Sequence, residues 1–145
     1  MRVVLQIVDQ ASVEIEKKVI SKIAKGYLLL VGIVQGDNED NVIKMADKIS
    51  KLRVFKDESD KTNLSLKDVK GSILSVSQFT LCADISKGNR PSFVNSAKRE
   101  DAIRLYELFN KKLKELGFEV QTGNFGADMK VSLINDGPFT LFVEN

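Results

Sequence analysis

The chain has 145 residues, 43% hydrophobic and 29% charged, enough for one ordinary globular domain with its own core and unlike a disordered or fibrous chain. Net charge is only +2 and histidine is absent, which excludes a Ser-His-Asp or Cys-His nucleophile system, an imidazole base and a histidine metal site. The single cysteine, Cys82, forms no intrachain disulfide and leaves no zinc cluster to consider.

Arg2 to Val8 reads as an apolar strand, and Ala11 to Ile15 alternates Val13 and Ile15 against Ser12 and Glu14. A strand-like start in place of a signal peptide points to the cytoplasm. Val19 to Ile23 is a short apolar piece. Tyr27 to Val34 is apolar without alternation, as expected of a central strand covered on both faces, and is too short to cross a bilayer.

Gly36 to Glu39 and Asp40 form a loop rich in side-chain oxygens, suited to capping a helix. The helix that follows places Val42, Met45, Ala46, Ile49 and Leu52 on one stripe, with Lys44, Lys48 and Lys51 opposite. Val54-Phe55 is a brief strand, and Asn63 to Lys70 is weakly patterned. Gly71 to Leu81 has strand character, with Ile73, Ser75, Ser77 and Phe79 on one face and Leu74, Val76, Gln78 and Thr80 on the other. Three serines, a glutamine and a threonine in such a strand are costly unless they find partners, and a polar-lined pocket at the strand end accounts for them.

Lys87 to Ser92 is a turn-rich loop with two positive charges. A second helix covers about Glu100 to Leu116, with Ala102, Leu105, Tyr106, Phe109, Leu113 and Leu116 in register and Gly117 as its stop. Phe118 to Thr122 is strand-like and Gly123 to Ala127 is a loop. Met129 to Leu133 and Phe139 to Val143 both read as strands, joined by Asn135-Asp136-Gly137-Pro138 as a terminal hairpin. Pro138 has no N–H for a ladder, so the turn carries outward carbonyls for a ligand or partner, or is simply a tight turn before an edge strand. No repeat or linker divides the chain. The sum is a single α+β domain over residues 1–145, with two amphipathic helices and a mainly antiparallel, curled or barrel-like sheet. Two basic groups, Lys44 to Lys56 and Lys87 to Arg99, are either solvated faces or phosphate contacts.

Ser77-Gln78-Phe79-Thr80-Leu81, Arg90-Pro91-Ser92-Phe93, Gln121-Thr122-Gly123, Ala127-Asp128-Met129 and Asn135-Asp136-Gly137-Pro138 followed by Thr140 together resemble the D-aminoacyl-tRNA deacylases, in the family's order and spacing over nearly the whole chain. The resemblance implies a hydrolase without metal or other cofactor that frees D-amino acids and misattached glycine from tRNA. It implies a homodimer in which a cis Gly137-Pro138 turn enters the partner's site and its carbonyls exclude L-amino acids.

Ser77, Gln78, Phe79 and Thr80 would then form the catalytic segment, with the Phe79 N–H and Ser77 hydroxyl serving the ester and oxyanion. RNA-assisted water attack is favoured over a Thr80 nucleophile, because a hydroxyl needs a base and no histidine supplies one. Phe125 and Met129 would hold the terminal adenosine, and Lys87 and Arg90 the acceptor-stem phosphates. An arginine that helps secure the Gly-Pro loop usually follows the first strand's glutamine in the family; here Ile7 follows Gln6. The alternatives are a non-catalytic module that binds RNA acceptor ends, an esterase for small acyl groups, and an interaction domain whose Gly-Pro turn makes only a dimer.

Overall fold

The two strand-like runs at the start of the chain form one long strand, β1 (Arg2–Ile15), in the computed structural model, which describes residues 1–145. Val3, Leu5 and Ile7 enter one core, and Val8 enters a second on the opposite face. One extra residue at the bulge between Val8 and Gln10 then keeps Ala11 and Val13 on the side of Val8. Strand β2 (Lys18–Ile23) pairs antiparallel with the second half of β1, and β3 (Gly26–Gly32) with the first half.

Helix α1 (Glu39–Ser50) begins at Asn38, whose side chain accepts from the Asn41 N–H while Asn41 returns the bond, both at 3.1 Å. It buries Val42, Met45, Ala46 and Ile49 and leaves its lysines in solvent. Strands β4 (Arg53–Lys56) and β5 (Thr62–Ser65) form a separate hairpin. The chain returns as β6 (Ser72–Ser77), parallel to β3 because a helix intervenes. Helix α2 (Arg99–Glu115) likewise makes β7 (Val120–Thr122) parallel to β6. The mainly antiparallel sheet therefore carries two parallel pairings. Leu116, expected on the α2 stripe, is exposed, because the helix ends before it and Gly117 turns the chain at φ +94°.

The terminal hairpin does not form. Residues Lys130–Glu144 are one strand, β8, and both of its halves pair antiparallel with β1 instead of with each other. Val8 faces Asn135 and Gln6 faces Thr140, so Asp136 to Phe139 bulge outward opposite Ile7 alone. Pro138 sits in this bulge, where no ladder N–H is required. The sheet runs β2-β1-β3-β6-β7 with β8 also on β1, and so curls towards closure.

The larger core lies between the sheet and the two helices, and the smaller fills the inside of the curl. The Met1 ammonium, fully buried, contacts Asp37 Oδ1 at 2.6 Å and the Asn145 carbonyl at 3.1 Å, joining the first and last strands to the loop before α1. No helix is long and apolar enough to cross a membrane.

Gly26 shows how tightly β3 and β6 approach: a Cβ there would stand 1.8 Å from the Ser72 carbonyl oxygen. Gly26→Ala is expected to lower stability by about 2–3 kcal/mol, since backbone cannot yield as a side-chain tip does. Urea unfolding should show a lower midpoint at an unchanged m-value.

Candidate active site

Strand β6 is buried from Ile73 to Val76, alternating between the two cores, and ends at Ser77. The chain then does not continue as a strand. Gln78 N–H bonds to the Val31 carbonyl at 2.7 Å, and Phe79–Cys82 closes a single 3₁₀ turn. The alternation read through to Leu81 thus stops at Ser77, and Thr80 belongs to neither face of the sheet.

The turn fits because Gly32 has no side chain: a Cβ there would lie 3.0 Å from both the Gln78 carbonyl oxygen and Leu81 Cβ. Arg2 holds the turn from outside, its guanidinium donating to the Leu81 carbonyl at 2.9 Å and to Glu144 at 2.7 Å. Cys82 anchors the inner side, fully buried, with its thiol donating to the Ile33 carbonyl at 3.3 Å.

A cavity of about 500 Å³ opens above the ends of β3 and β6. Ser77, Gln78 and Phe79 form one wall, and Phe125 to Met129 form another. Helix α2 supplies a third with Arg99, Ala102 and Tyr106. The Ser77 hydroxyl is committed to no hydrogen bond within the chain, and the turn's bonds, Leu81 N–H to Gln78 and Ala83 N–H to Thr80, leave the Phe79 N–H out. The Phe79 ring is 56% exposed and packs on Phe93 at 4.9 Å between centroids. Tyr106 is buried; its hydroxyl donates to the Ser75 carbonyl at 2.8 Å, and burial pushes its pKa up, so it stays neutral.

Met129 reaches the cavity because Gly123 makes room, where a Cβ would meet its sulfur at 2.5 Å. Phe125 lies between the Tyr106 ring at 5.9 Å and the Arg99 guanidinium at 5.8 Å.

Of the residues singled out in the sequence, Ser77, Gln78, Phe79, Phe125 and Met129 meet at this cavity. Thr80 is exposed outside the lining, with its hydroxyl accepting from the Gln78 amide. Lys87 and Arg90 are exposed on a loop that contributes nothing to the lining, and Gly137 and Pro138 are exposed on β8. Arg99 and Tyr106 were not singled out as site residues. Their signal was present: Arg99, Ala102 and Tyr106 share one face of α2, which brings a cation to the buried side.

The Gly-Pro bulge has its own fastening. The Gly137-Pro138 peptide is cis, with Gly137 at φ +113°, a conformation that favours glycine. Asn135 spans its base, with Nδ2 donating to the Ile7 carbonyl at 2.9 Å and to the Phe139 carbonyl at 3.1 Å. Asn135 Oδ1 accepts from Gln6 Nε2 and from the Thr140 hydroxyl, each at 3.1 Å. Ile7 itself is buried in the main core.

The model of a protein family described as D-Tyr-tRNA(Tyr) deacylase matches residues 4–144. The chain belongs to that family. As a D-Tyr-tRNA(Tyr) deacylase family member it is a hydrolase. It is 59% identical over 99% of both chains to the D-aminoacyl-tRNA deacylase of Lactobacillus acidophilus, and 52% identical to that of Bacillus pumilus over 100% of this chain and 99% of that one. Among solved structures, one titled c-Myc DNA Unwinding Element Binding Protein superposes with a TM-score of 0.92 at 40% identity, covering 100% of this chain and 99% of that one. A probable eukaryotic D-amino acid tRNA deacylase shares the fold at 17% identity, with a TM-score of 0.86 over 98% of this chain and 97% of that one.

Burial pushes the Cys82 thiol above its ordinary pKa, so its reactive thiolate is disfavoured. Folded protein at pH 7.5 should react with an aromatic disulfide reagent at least tenfold more slowly than protein in denaturant, read as thiolate released over time.

Proposed function

We infer that this family member hydrolyses the ester between a D-amino acid, or misattached glycine, and the terminal ribose of tRNA. The observation that carries this reading is the pairing, at one cavity, of an uncommitted Ser77 hydroxyl and Phe79 N–H with the Phe125 and Met129 wall. The terminal adenine rests against Phe125 and Met129, which directs the ester towards the turn. The Phe79 N–H donates to the ester carbonyl and, as water adds to the carbonyl carbon, to the developing oxyanion; one such donor is worth about 3 kcal/mol. Ser77 orients the ester. The tetrahedral intermediate collapses by expelling the ribose oxygen, which takes up a proton, leaving free amino acid and tRNA.

The proton removed from water needs an acceptor, and the 2′-hydroxyl of the terminal adenosine is positioned to relay it. Thr80 is poorly placed for attack: it lies outside the lining, and its neighbour Gln78 is an amide that cannot serve as a base. Gln78 and Thr80 brace the turn. Lys87 and Arg90 meet acceptor-stem phosphate at longer range.

Chiral selection belongs to the Gly137-Pro138 bulge of a second copy. The bulge is exposed and absent from its own chain's cavity, and the same strand exposes Ile134 before it and Phe142 after it, at 52% and 58%, apolar surface for a second copy to cover. Inserted into the partner's cavity, its carbonyls fill the space an L side chain needs. A filter acting by exclusion admits glycine. With Ile7 in place of the family's arginine, the Gln6, Asn135 and Thr140 bonds hold the bulge in position. The place of action is the cytoplasm, with the charged tRNA.

A second reading, a nucleic-acid-binding module without turnover, is favoured by the DNA-binding title of the 40%-identical solved relative. A deacylation time course on D-tyrosyl-, L-tyrosyl- and glycyl-tRNA separates the two. The expected outcome is rapid loss of the D and glycyl esters with the L ester intact, each tenfold ratio in kcat/KM marking about 1.4 kcal/mol of discrimination. Asn135→Ala is expected to narrow the D-to-L ratio at least tenfold. Binding without hydrolysis of any ester would establish the module instead.

Thr80→Val should keep kcat within about tenfold of the parent, whereas tRNA ending in 2′-deoxyadenosine should lose at least a hundredfold. The reverse pattern in single-turnover rates would establish Thr80 as the nucleophile.

A further inference from the structure

A second groove of about 560 Å³ lies beside the cavity, between α2 and the segment Thr122 to Phe125. Tyr106 and Phe125 line both spaces, so the two are separated by one pair of aromatic rings. A chain that leaves the cavity over this partition enters the groove.

The charged residues of the groove carry a net positive charge. Lys111 and Lys114 stand against one carboxylate, Glu107. Lys114 has no ion-pair partner within the chain, and Lys111 approaches Glu115 only at 3.8 Å. At the cavity end of the same helix, Arg99 is also unpaired and rests on Phe125. With a rise of about 1.5 Å per residue, Arg99 and Lys114 are separated by roughly 22 Å along α2. Asn110, 7% exposed, lines the groove between these cations.

We propose that this groove binds the single-stranded 3′ end of tRNA just before its terminal adenosine, with Lys111 and Lys114 on backbone phosphates. The proposal rests on the aminoacyl-tRNA reading of the cavity and deepens it. Continuity with the cavity supplies the direction of the strand, and charge complementarity the occupant: a flexible polyanion follows a cationic track irrespective of its sequence. The exposed loop of Lys87 and Arg90 lines neither space, so the contact closest to the reacting ester falls to α2.

The test compares two substrates, D-tyrosyl-tRNA and D-tyrosyl-adenosine, which ends where the cavity does. The variant Lys111→Ala/Lys114→Ala is expected to raise KM for D-tyrosyl-tRNA at least tenfold at 150 mM salt, with kcat held within about twofold. Its ratio of kcat/KM on D-tyrosyl-tRNA to that on D-tyrosyl-adenosine should fall at least tenfold, and Lys111→Arg/Lys114→Arg should restore the ratio. The slope of log affinity against log salt, read by fluorescence anisotropy with uncharged tRNA, should decrease by about 1.4, the value for two phosphate contacts on a single strand. An unchanged KM and slope in the alanine variant, or an equal loss on both substrates, would overturn the groove. So would a tenfold rise in KM from Lys87→Ala/Arg90→Ala with none from the α2 pair. If the unaltered protein hydrolyses no ester, the deacylase reading fails by itself, while weaker binding of uncharged tRNA by the α2 variant would still uphold the groove.

Discussion

The pairing of β1 with β8 is the constraint through which the ends of the chain, the curl of the sheet and the exposed Gly-Pro bulge are all set. Partners run from Arg2 with Glu144 to Glu14 with Lys130, and the only large interruption is the excursion of Asp136 to Phe139. Four residues opposite one add an odd number, so β8 changes the face it buries: Val131 and Leu133 pack on the smaller core before the excursion, and Leu141 and Val143 on the larger core after it. The bulge thus marks the point where β8 passes from one core to the other while staying paired with β1 on both sides. Gln6 and Asn135 bind its base across the two strands. The same pairing seats Arg2 beside Leu81, and through that bond the edge of the sheet holds the turn at the cavity.

The cavity is built where two parallel strands end. β3 and β6 stop beside one another, and after the bond from the Gln78 N–H to the Val31 carbonyl the chain leaves the ladder. Gly32 lets the Phe79–Cys82 turn settle over the end of β3, which leaves one main-chain donor, at Phe79, outside the turn's own bonds. Main-chain donors held this way require no side-chain motion to meet a developing charge. The chain has no histidine to serve beside them. Helix α2 completes the site, with an apolar face towards the core and Arg99 at its first turn towards the cavity.

Much of this was legible in the chain. The stripe of Val42, Met45, Ala46 and Ile49, and that of Ala102, Leu105, Tyr106, Phe109 and Leu113, each came out as a helix with that face buried. Tyr27 to Val31, apolar without alternation, became the strand with neighbours on both sides and a core on each face. Polar residues in an otherwise apolar β6 announced a cavity, and Ser77, Gln78 and Phe79 line one. The hairpin expectation was incorrect for a specific reason. Two strand-like runs around Asp-Gly are locally indistinguishable from a strand interrupted by a bulge, and the difference lies in β1, over 120 residues away in sequence, which both runs prefer to each other. The strand reading beyond Ser77 was incorrect because a short turn after a strand has no period of its own.

Composition and local pattern determined the fold class, the two helices, the buried faces and the absence of imidazole chemistry, because these depend on residue type and on spacing within one element. Tertiary structure alone decided that Met129 lies against Gly123, that Phe125 stands between Tyr106 and Arg99, that Thr80 is outside the cavity and that Asn135 secures the bulge. Each of those contacts joins residues whose separation is fixed by strand register or by the packing of α2 on the sheet. Register and packing are properties of pairs of elements, settled by the shared burial of apolar faces, and no single stretch of sequence contains them.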